Sequence, residues 1–566
     1  MAGSKGHSGQ SDGPRKTSID VESEIFEEVV SVQSEKSSHT ELFAPGATYQ
    51  VHRRLKPRHI QLIGIGGTIG TVLFVQIATP LSKGGPASLF IAFAAWCVPI
   101  VCLTNSTAEM VTYFPLPSPF VRLAGRCLDD ALEVMSGWNF LLLQVFLVPF
   151  EITAFTLVLH FWADNFSPAA SIVPQVAAYM IINFLCPVSW FGEIEYFLAI
   201  FKVLLIVGLI LFTFITMVGG NPQGHAYGFT FWKNPGSFAE WYYTGDLGRF
   251  LGFAACIAQA SYTVSGPDYV AMTAGEAINP RRNLPIAFKG VIYRLTFFFV
   301  LGSLCVGIIC PYNDPEMLEA LANGAGGAAA SPYVVGMNRM GIKGLPSVVN
   351  AAILLAIFSA GNSYFYCSSR TLYGMSLAGH APKLFSYCTK NGVPVVANIV
   401  VAAVAMLSFL QLSNSANQIL TWLVSFGTAA QLINYCLMNV TFLRFFYACK
   451  KQGVDRNTFP YKGWLQPYCA YFCAIACGSF VFLAGFAVFL KGNWQWSQFI
   501  FSYIMIPIDL GIFLFWKFWK KTKFKRLDEI DLHSGLEEVE AHEQSIEVKE
   551  PKNVWSKIGH ILIGDF

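Results

Sequence analysis

The apolar segment from Ile60 to Leu81 is interrupted in its middle by Gly64-Ile65-Gly66-Gly67-Thr68-Ile69-Gly70-Thr71, and a later one, Phe250 to Gly275, by Ser265-Gly266-Pro267-Asp268. A lipid-facing helix has no use for such runs, because every N–H and C=O that a break frees would stay unpaired in hydrocarbon. Non-helical backbone at membrane depth is tolerated only against protein or a cavity. Two broken segments, one early in each half of a long apolar chain, point to a solute site near the bilayer midplane. The pattern implies a polytopic membrane protein that holds a small solute at mid-depth.

Composition agrees. With 54% hydrophobic and 13% charged residues over 566 positions, and a mean hydropathy of +0.47, the chain is too apolar for a soluble protein of this size. A net charge of +3 gives no case for a nucleic-acid partner. The 14 cysteines lie mostly in apolar runs without metal-type spacing, so packing is expected of them, with no disulfide framework and no metal. Apolar stretches long enough to cross ~30 Å of hydrocarbon number twelve, near 60–80, 87–112, 134–160, 170–188, 196–218, 249–275, 289–311, 345–375, 394–412, 418–446, 467–489 and 497–518. Arg122, Arg126, Arg281, Arg282, Arg370, Lys383, Lys450, Lys451 and the cluster Lys517 to Arg526 all fall on one side, which the positive-inside rule makes cytoplasmic together with both tails.

The expected organisation is a disordered cytoplasmic tail over 1–55, a transmembrane domain over 56–518 and a cytoplasmic tail over 519–566. The first tail has no apolar core, so no cleavable signal peptide is expected. Its Lys5, Lys16 and Lys36 are candidate ubiquitylation sites, which would make ubiquitin ligase machinery a partner. The acidic stretch Asp528 to Glu550 is expected to be solvated.

The breaks suit a ligand with a carboxylate and an ammonium on one carbon. A half-helix starting after Gly70 would aim free N–H groups and the positive end of its dipole at a carboxylate. A half-helix ending near Val264 would offer free carbonyls to an ammonium. Gly66, Gly67, Gly70 and Gly266 would let backbone approach the ligand, or alternatively let helices pack closely. Among ionisable residues in the expected spans, Glu109 fits an interface or gate, Glu151 follows the kinking Pro149, and Lys202 is either buried or snorkels to the cytoplasmic interface. Asp268, in the second break, is the leading carboxylate for ammonium contact or proton handling. No nucleophile–base pair, phosphate loop or metal cluster argues for an enzyme.

Lys56-Pro57-Arg58-His59-Ile60 leading into Gly66-Gly67-Thr68-Ile69-Gly70-Thr71, then Gly275-Glu276-Ala277-Ile278-Asn279-Pro280-Arg281-Arg282-Asn283-Leu284-Pro285 and Ser359-Ala360-Gly361-Asn362-Ser363, resemble the fungal amino-acid permeases of the amino acid-polyamine-organocation superfamily. The resemblance covers about residues 50–530, and the ending Asn553-Val554-Trp555 to Gly564-Asp565-Phe566 resembles the dicarboxylic amino-acid branch. It implies an all-α fold of two inverted five-helix repeats of LeuT type plus two further helices, and amino-acid uptake driven by proton symport at the plasma membrane, without a cofactor. By that resemblance Thr68, Ile69, Gly70, Thr71 and Val72 would bind the substrate backbone, Tyr262 would form an aromatic lid, and Ser265 and Gly266 would line the ammonium site. Lys202 would stand where relatives hold a sodium ion, with Glu151 and Asp268 as the other charge-bearing candidates.

Departures from the family pattern temper this. Val72 replaces a glycine in the carboxylate-binding turn, and Pro267-Asp268 replaces a glutamate in the second break. Thr107-Ala108-Glu109 and Ser118-Pro119-Phe120 replace the commoner Gly-Glu and Ser-Gly-Ser forms. Glu151 would repel an acidic side chain by several kcal/mol at ~4 Å and intermediate dielectric. Two rival expectations follow: an amino-acid-sensing transceptor that transports little, and a carrier for an amino-acid-derived metabolite.

Overall fold

A computed structural model describes residues 60, 70–163, 167–185, 188–323, 331–389, 393–537 and 539–540. The helices are α1 (Ala78–Tyr113), α2 (Pro119–Cys127), α3 (Asp130–Leu159), α4 (Pro168–Leu185), α5 (Val188–Met217), α6 (Asp246–Thr263), α7 (Pro267–Met272) and α8 (Pro280–Arg294). They continue with α9 (Leu301–Ile309), α10 (Leu345–Leu377), α11 (Val395–Ala405), α12 (Ala416–Gln452), α13 (Tyr468–Leu483), α14 (Trp496–Tyr503) and α15 (Met505–Lys520), with short helical turns between. Among the described residues the only β pairing is an isolated bridge between Cys388 and Pro394.

Among the described residues, eight helical stretches are long and apolar enough to cross a membrane, and a ninth forms if α14 and α15, bent by 44°, make one span. Of the other expected spans, 170–188 is the shorter apolar helix Pro168–Phe184, 249–275 is broken between α6 and α7, and 60–80 is described only at residue 60 and from 70 onward.

The expected loop between the first two spans is a single corner. Within α1, Gly85 takes φ 80° and ψ 174°, so two helices meet there directly. Only glycine enters that region freely. A Cβ on Gly85 would also lie 2.7 Å from the Ala239 nitrogen and 2.9 Å from the Ser237 oxygen. That strand of backbone is held in place because Ala87 N donates to Ser237 O (2.9 Å) and Ala239 N donates to Gly84 O (3.0 Å). One residue earlier, a Cβ on Gly84 would meet Cys256 Sγ at 2.4 Å and Gly252 O at 2.7 Å, and one on Gly252 would meet Lys83 O at 2.5 Å. The start of α1 and α6 therefore cross with backbones in contact, as small residues allow in membrane bundles.

α3 runs through the core. Asp129 caps it by accepting from Ala131 N, and Asp130 and Glu133 in its first turn suit the positive end of the helix dipole. Pro149 cannot donate to the carbonyl one turn earlier, which loosens the helix just before Glu151.

The acidic tail departs from expectation. Within the described part, Ile530 and Leu532 are buried in a cluster with Tyr113, Phe114, Phe442, Phe445 and Phe459. Gln452 Nε2 donates to Leu527 O (2.9 Å) and Ile530 O (2.8 Å), Tyr113 Oη to Leu532 O (3.1 Å), and Arg126 Nη1 to Ser534 O (3.0 Å). Lys451 pairs with Asp528 at 2.8 Å and Arg281 with Glu540 at 3.4 Å. Residues 525–537, 539 and 540 thus form a strap across the basic face, not a solvated tail, because apolar Ile530 and Leu532 are buried between exposed charged neighbours. The remainder of that stretch lies outside the described residues.

Candidate functional site

The first break is described from Gly70 onward. Leu73 N donates to Gly70 O (3.3 Å), and a π-helical turn over Val72–Gln76 leads into α1. Such wide turns leave backbone unpaired and gather at functional sites. In the second break α6 ends at Thr263, Val264 is extended, and Gly266 takes φ 147° before α7 opens with Pro267. The lost N–H of Pro267 costs nothing at this position, since the first N–H groups of a helix have no intrahelical partner.

Between the breaks lies a small cavity with about 30 Å³ open to the centre of a water molecule, room for roughly two or three waters. Its wall is Gly70 and Val72 from the first break, Leu147, Phe150 and Glu151 from α3, Tyr262, Thr263, Ser265 and Tyr269 from the second break, Tyr364 from α10 and Gln431 from α12. Gln431 Nε2 donates to Tyr262 O at 3.3 Å and lies 3.5 Å from Ser261 O, so the carbonyl end of α6 is already partly satisfied. The Tyr262 hydroxyl is buried with no partner among the described residues, which leaves a donor and acceptor at the cavity wall. Its ring fits because α12 carries Gly427, where a Cβ would come within 2.9 Å of Tyr262 Cε2.

Glu151 is almost fully enclosed. Thr71 Oγ1 donates to its Oε2, and Gly70 leaves only van der Waals room beside it, a Cβ there lying 3.4 Å from Oε1. Lys202 on α5 is 0% exposed, which overturns the snorkelling alternative. Its Nζ stands 4.0 Å from Glu195 Oε1, and its charge interacts first with Glu195 and then with Glu151. Ser359 Oγ of α10 donates to Glu195 at 3.2 Å. Two buried carboxylates and one ammonium thus run from the cavity into the bundle.

The structure brings Gly70, Val72, Glu151, Tyr262 and Ser265 together on the cavity wall. Thr71 reaches the site through Glu151, and Gly266 supplies the turn behind Ser265. Asp268 is buried in the first turn of α7, where it accepts from Tyr435 Oη at 3.3 Å, and it is not among the wall residues. Thr68 and Ile69 lie outside the described residues. Glu109 forms a bidentate pair with Arg456 (2.6 and 2.8 Å) and accepts from Gly463 N (2.8 Å), latching the α12–α13 loop to α1. Sequence reasoning missed Glu195, which sits just ahead of an apolar run but two turns before Lys202 on the same helix face. It also missed Tyr364 and Gln431, brought in from distant helices.

A bundle of apolar helices, two of them broken around a small cavity with buried charges, defines a membrane transporter rather than an enzyme. The amino acid permease family model matches residues 59–529, and the chain belongs to that family. It is 46% identical over 503 residues to the general amino acid permease AGP2 of Saccharomyces cerevisiae, covering 87% of this chain and 84% of that one. To the lysine-specific permease of the same yeast it is 35% identical over 510 residues (90% and 82% covered). To its dicarboxylic amino acid permease it is 33% identical over 505 residues (88% and 83%). The fold is shared with a manganese transporter of Eremococcus coleocola at TM-score 0.50 and 14% identity, over 83% of this chain and 96% of that one.

Proposed function

We propose that this permease imports amino acids across the plasma membrane by proton symport, through twelve spans arranged as two inverted repeats of five plus two, with both tails cytoplasmic. The observation that carries the reading is the buried set Glu151, Lys202 and Glu195, with Glu151 on the cavity wall. Two acids and one base leave an excess negative charge in a low-dielectric interior, which is costly until one further positive charge arrives. A proton and a substrate ammonium are the two candidates, and a site that responds to both couples them. In this reading the N–H groups from Thr68 to Val72 take the carboxylate. Tyr262 covers the substrate, and Ser265 and Gly266 border its ammonium.

Glu151 on the wall disfavours acidic side chains, so neutral and cationic amino acids are the proposed class. Asp268, held behind the site by Tyr435, has a supporting role in coupling. Ubiquitin ligase machinery acting on the tails completes the proposed partners. The test is uptake of radiolabelled proline, lysine, leucine and glutamate at acid and neutral pH, in yeast lacking its own permeases. Acid-stimulated uptake of neutral or basic substrates is the expected result. Uptake that ignores pH, or silence across the panel with the protein at the cell surface, would overturn it.

A further inference from the structure

The end of α15 and the turn after it carry Lys517, Lys520, Lys521, Lys523 and Lys525. Two of them are used within the protein: Lys517 pairs with Asp129 and Lys525 lies 3.2 Å from Asp130, pinning the helix end to the start of α3. Lys520, Lys521 and Lys523 are exposed and have no acidic partner among the described residues. Lys521 ends the helix in the left-handed region at φ 53°, so the chain turns away from the α15 axis between these lysines. Phe518 (75% exposed), Trp519 (61%) and Phe524 (56%) share the same stretch. The Lys520 ammonium rests 5.1 Å from the Trp519 ring centre.

Lysine beside outward-facing tryptophan is the composition of a headgroup layer. The unpaired like charges repel one another until anions come between them. Directly after them the chain enters the strap, where Lys525 N donates to Leu128 O (2.9 Å) and Leu532 is 0% exposed. We propose that Lys520, Lys521 and Lys523 form a binding surface for anionic phospholipid headgroups, and that headgroup binding there stabilises the docked strap. An acidic soluble partner fits less well, since it would have to cover the exposed aromatic rings of Phe518, Trp519 and Phe524. The surface goes beyond the general cytoplasmic excess of Lys and Arg, because it consists of the lysines left over once the ion pairs to α3 are made.

Juxtamembrane lysines near an anionic surface each contribute about fivefold in binding, so three amount to roughly a hundredfold. The test places the full chain in nanodiscs of phosphatidylcholine alone or with phosphatidylserine, and follows cleavage of the strap by a glutamate-specific protease. Phosphatidylserine should slow cleavage at least several-fold in the native chain and not in Lys520→Gln/Lys521→Gln/Lys523→Gln. A control, Lys289→Gln/Lys383→Gln/Lys450→Gln, removes exposed lysines elsewhere on the basic face and should keep the protection. No effect of phosphatidylserine on the native chain, or equal loss in both triple variants, would overturn the proposal. So would full protection by polyglutamate in phosphatidylcholine discs, which would make the occupant a polyacid rather than a lipid. The outcome does not depend on which solute is carried.

Discussion

Replacing Lys202 by Met removes the cation of the buried set and leaves Glu195 and Glu151, each of which interacts with it, without that charge. At the observed 4.0 Å between Lys202 and Glu195, the lost attraction is about 4 kcal/mol at an effective dielectric of 20. Removing one partner of a buried pair costs about 3–5 kcal/mol, because the remaining charge stays desolvated. Glu195→Gln alone should cost less, since Gln still accepts the Ser359 hydroxyl bond. The double variant Glu195→Gln/Lys202→Met should then be more stable than the sum of the singles by about 1–3 kcal/mol, the range for directly coupled neighbours. Thermal unfolding of all four proteins in the same detergent or nanodisc gives the cycle. Additivity within about 0.5 kcal/mol would mean the two groups do not interact, and the coupling path through Glu195 would fall with it.

Val72→Gly removes an isopropyl group at the cavity wall, so affinity for common amino acids in uptake competition should rise, at about 0.5 kcal/mol of stability for the lost helix propensity; unchanged uptake would dismiss crowding at this turn. Gly361→Ala should destabilise by about 1–3 kcal/mol, since its Cβ would lie 2.3 Å from the Tyr179 hydroxyl oxygen, and Tyr179→Phe in the same chain should recover part of the loss in a thermal melt. Arg456→Ala strands Glu109, whose side chain is 0% exposed, and a loss of about 3–5 kcal/mol is expected; a melt within 1 °C of the native chain would rule out the latch.

In the strap, burial raises the Asp531 carboxyl, but bonds from the Ser534 hydroxyl and the backbone N–H groups of Ser534 and His533 outweigh it and hold it at about 2. A carboxyl held below its ordinary value of about 3.9 stabilises the docked strap fully above that pH and loses the contribution as pH falls through about 2. Susceptibility of the strap in acid-pulse proteolysis should therefore be flat from neutral pH to about 4 and rise below it, and a rise near pH 6 would contradict the assignment.

Local backbone chemistry made the second break legible, because Ser-Gly-Pro-Asp has few conformations open to it. The structure moves the break slightly, to Val264–Gly266, and turns Pro267 from a defect into a helix start. Hydropathy windows located Lys202 without its depth, since depth is a property of the neighbours and not of the residue. They passed over Glu195 for the opposite reason, its position just outside an apolar run. Asp509 escaped notice inside the last apolar segment, yet it is 3% exposed and both its oxygens lack a partner among the described residues. The strap was hidden by its net charge: Ile530 and Leu532 are too few to outvote their acidic neighbours in composition, yet enough to fill a gap between α1, α2 and α12. Tyr364 and Gln431 had no local signal at all, because only tertiary packing brings them to the cavity.

The corner at Gly85 joins two helices without an intervening loop, and Gly84 and Gly252 bring the backbones of α1 and α6 together there. Cys256 Sγ donating to Pro80 O at 3.2 Å adds a second fastening along the same seam. The start of α1 and the body of α6 are therefore fastened to each other along one seam. Glu109, with its bond to the α12–α13 loop, lies on the same α1 segment as that seam.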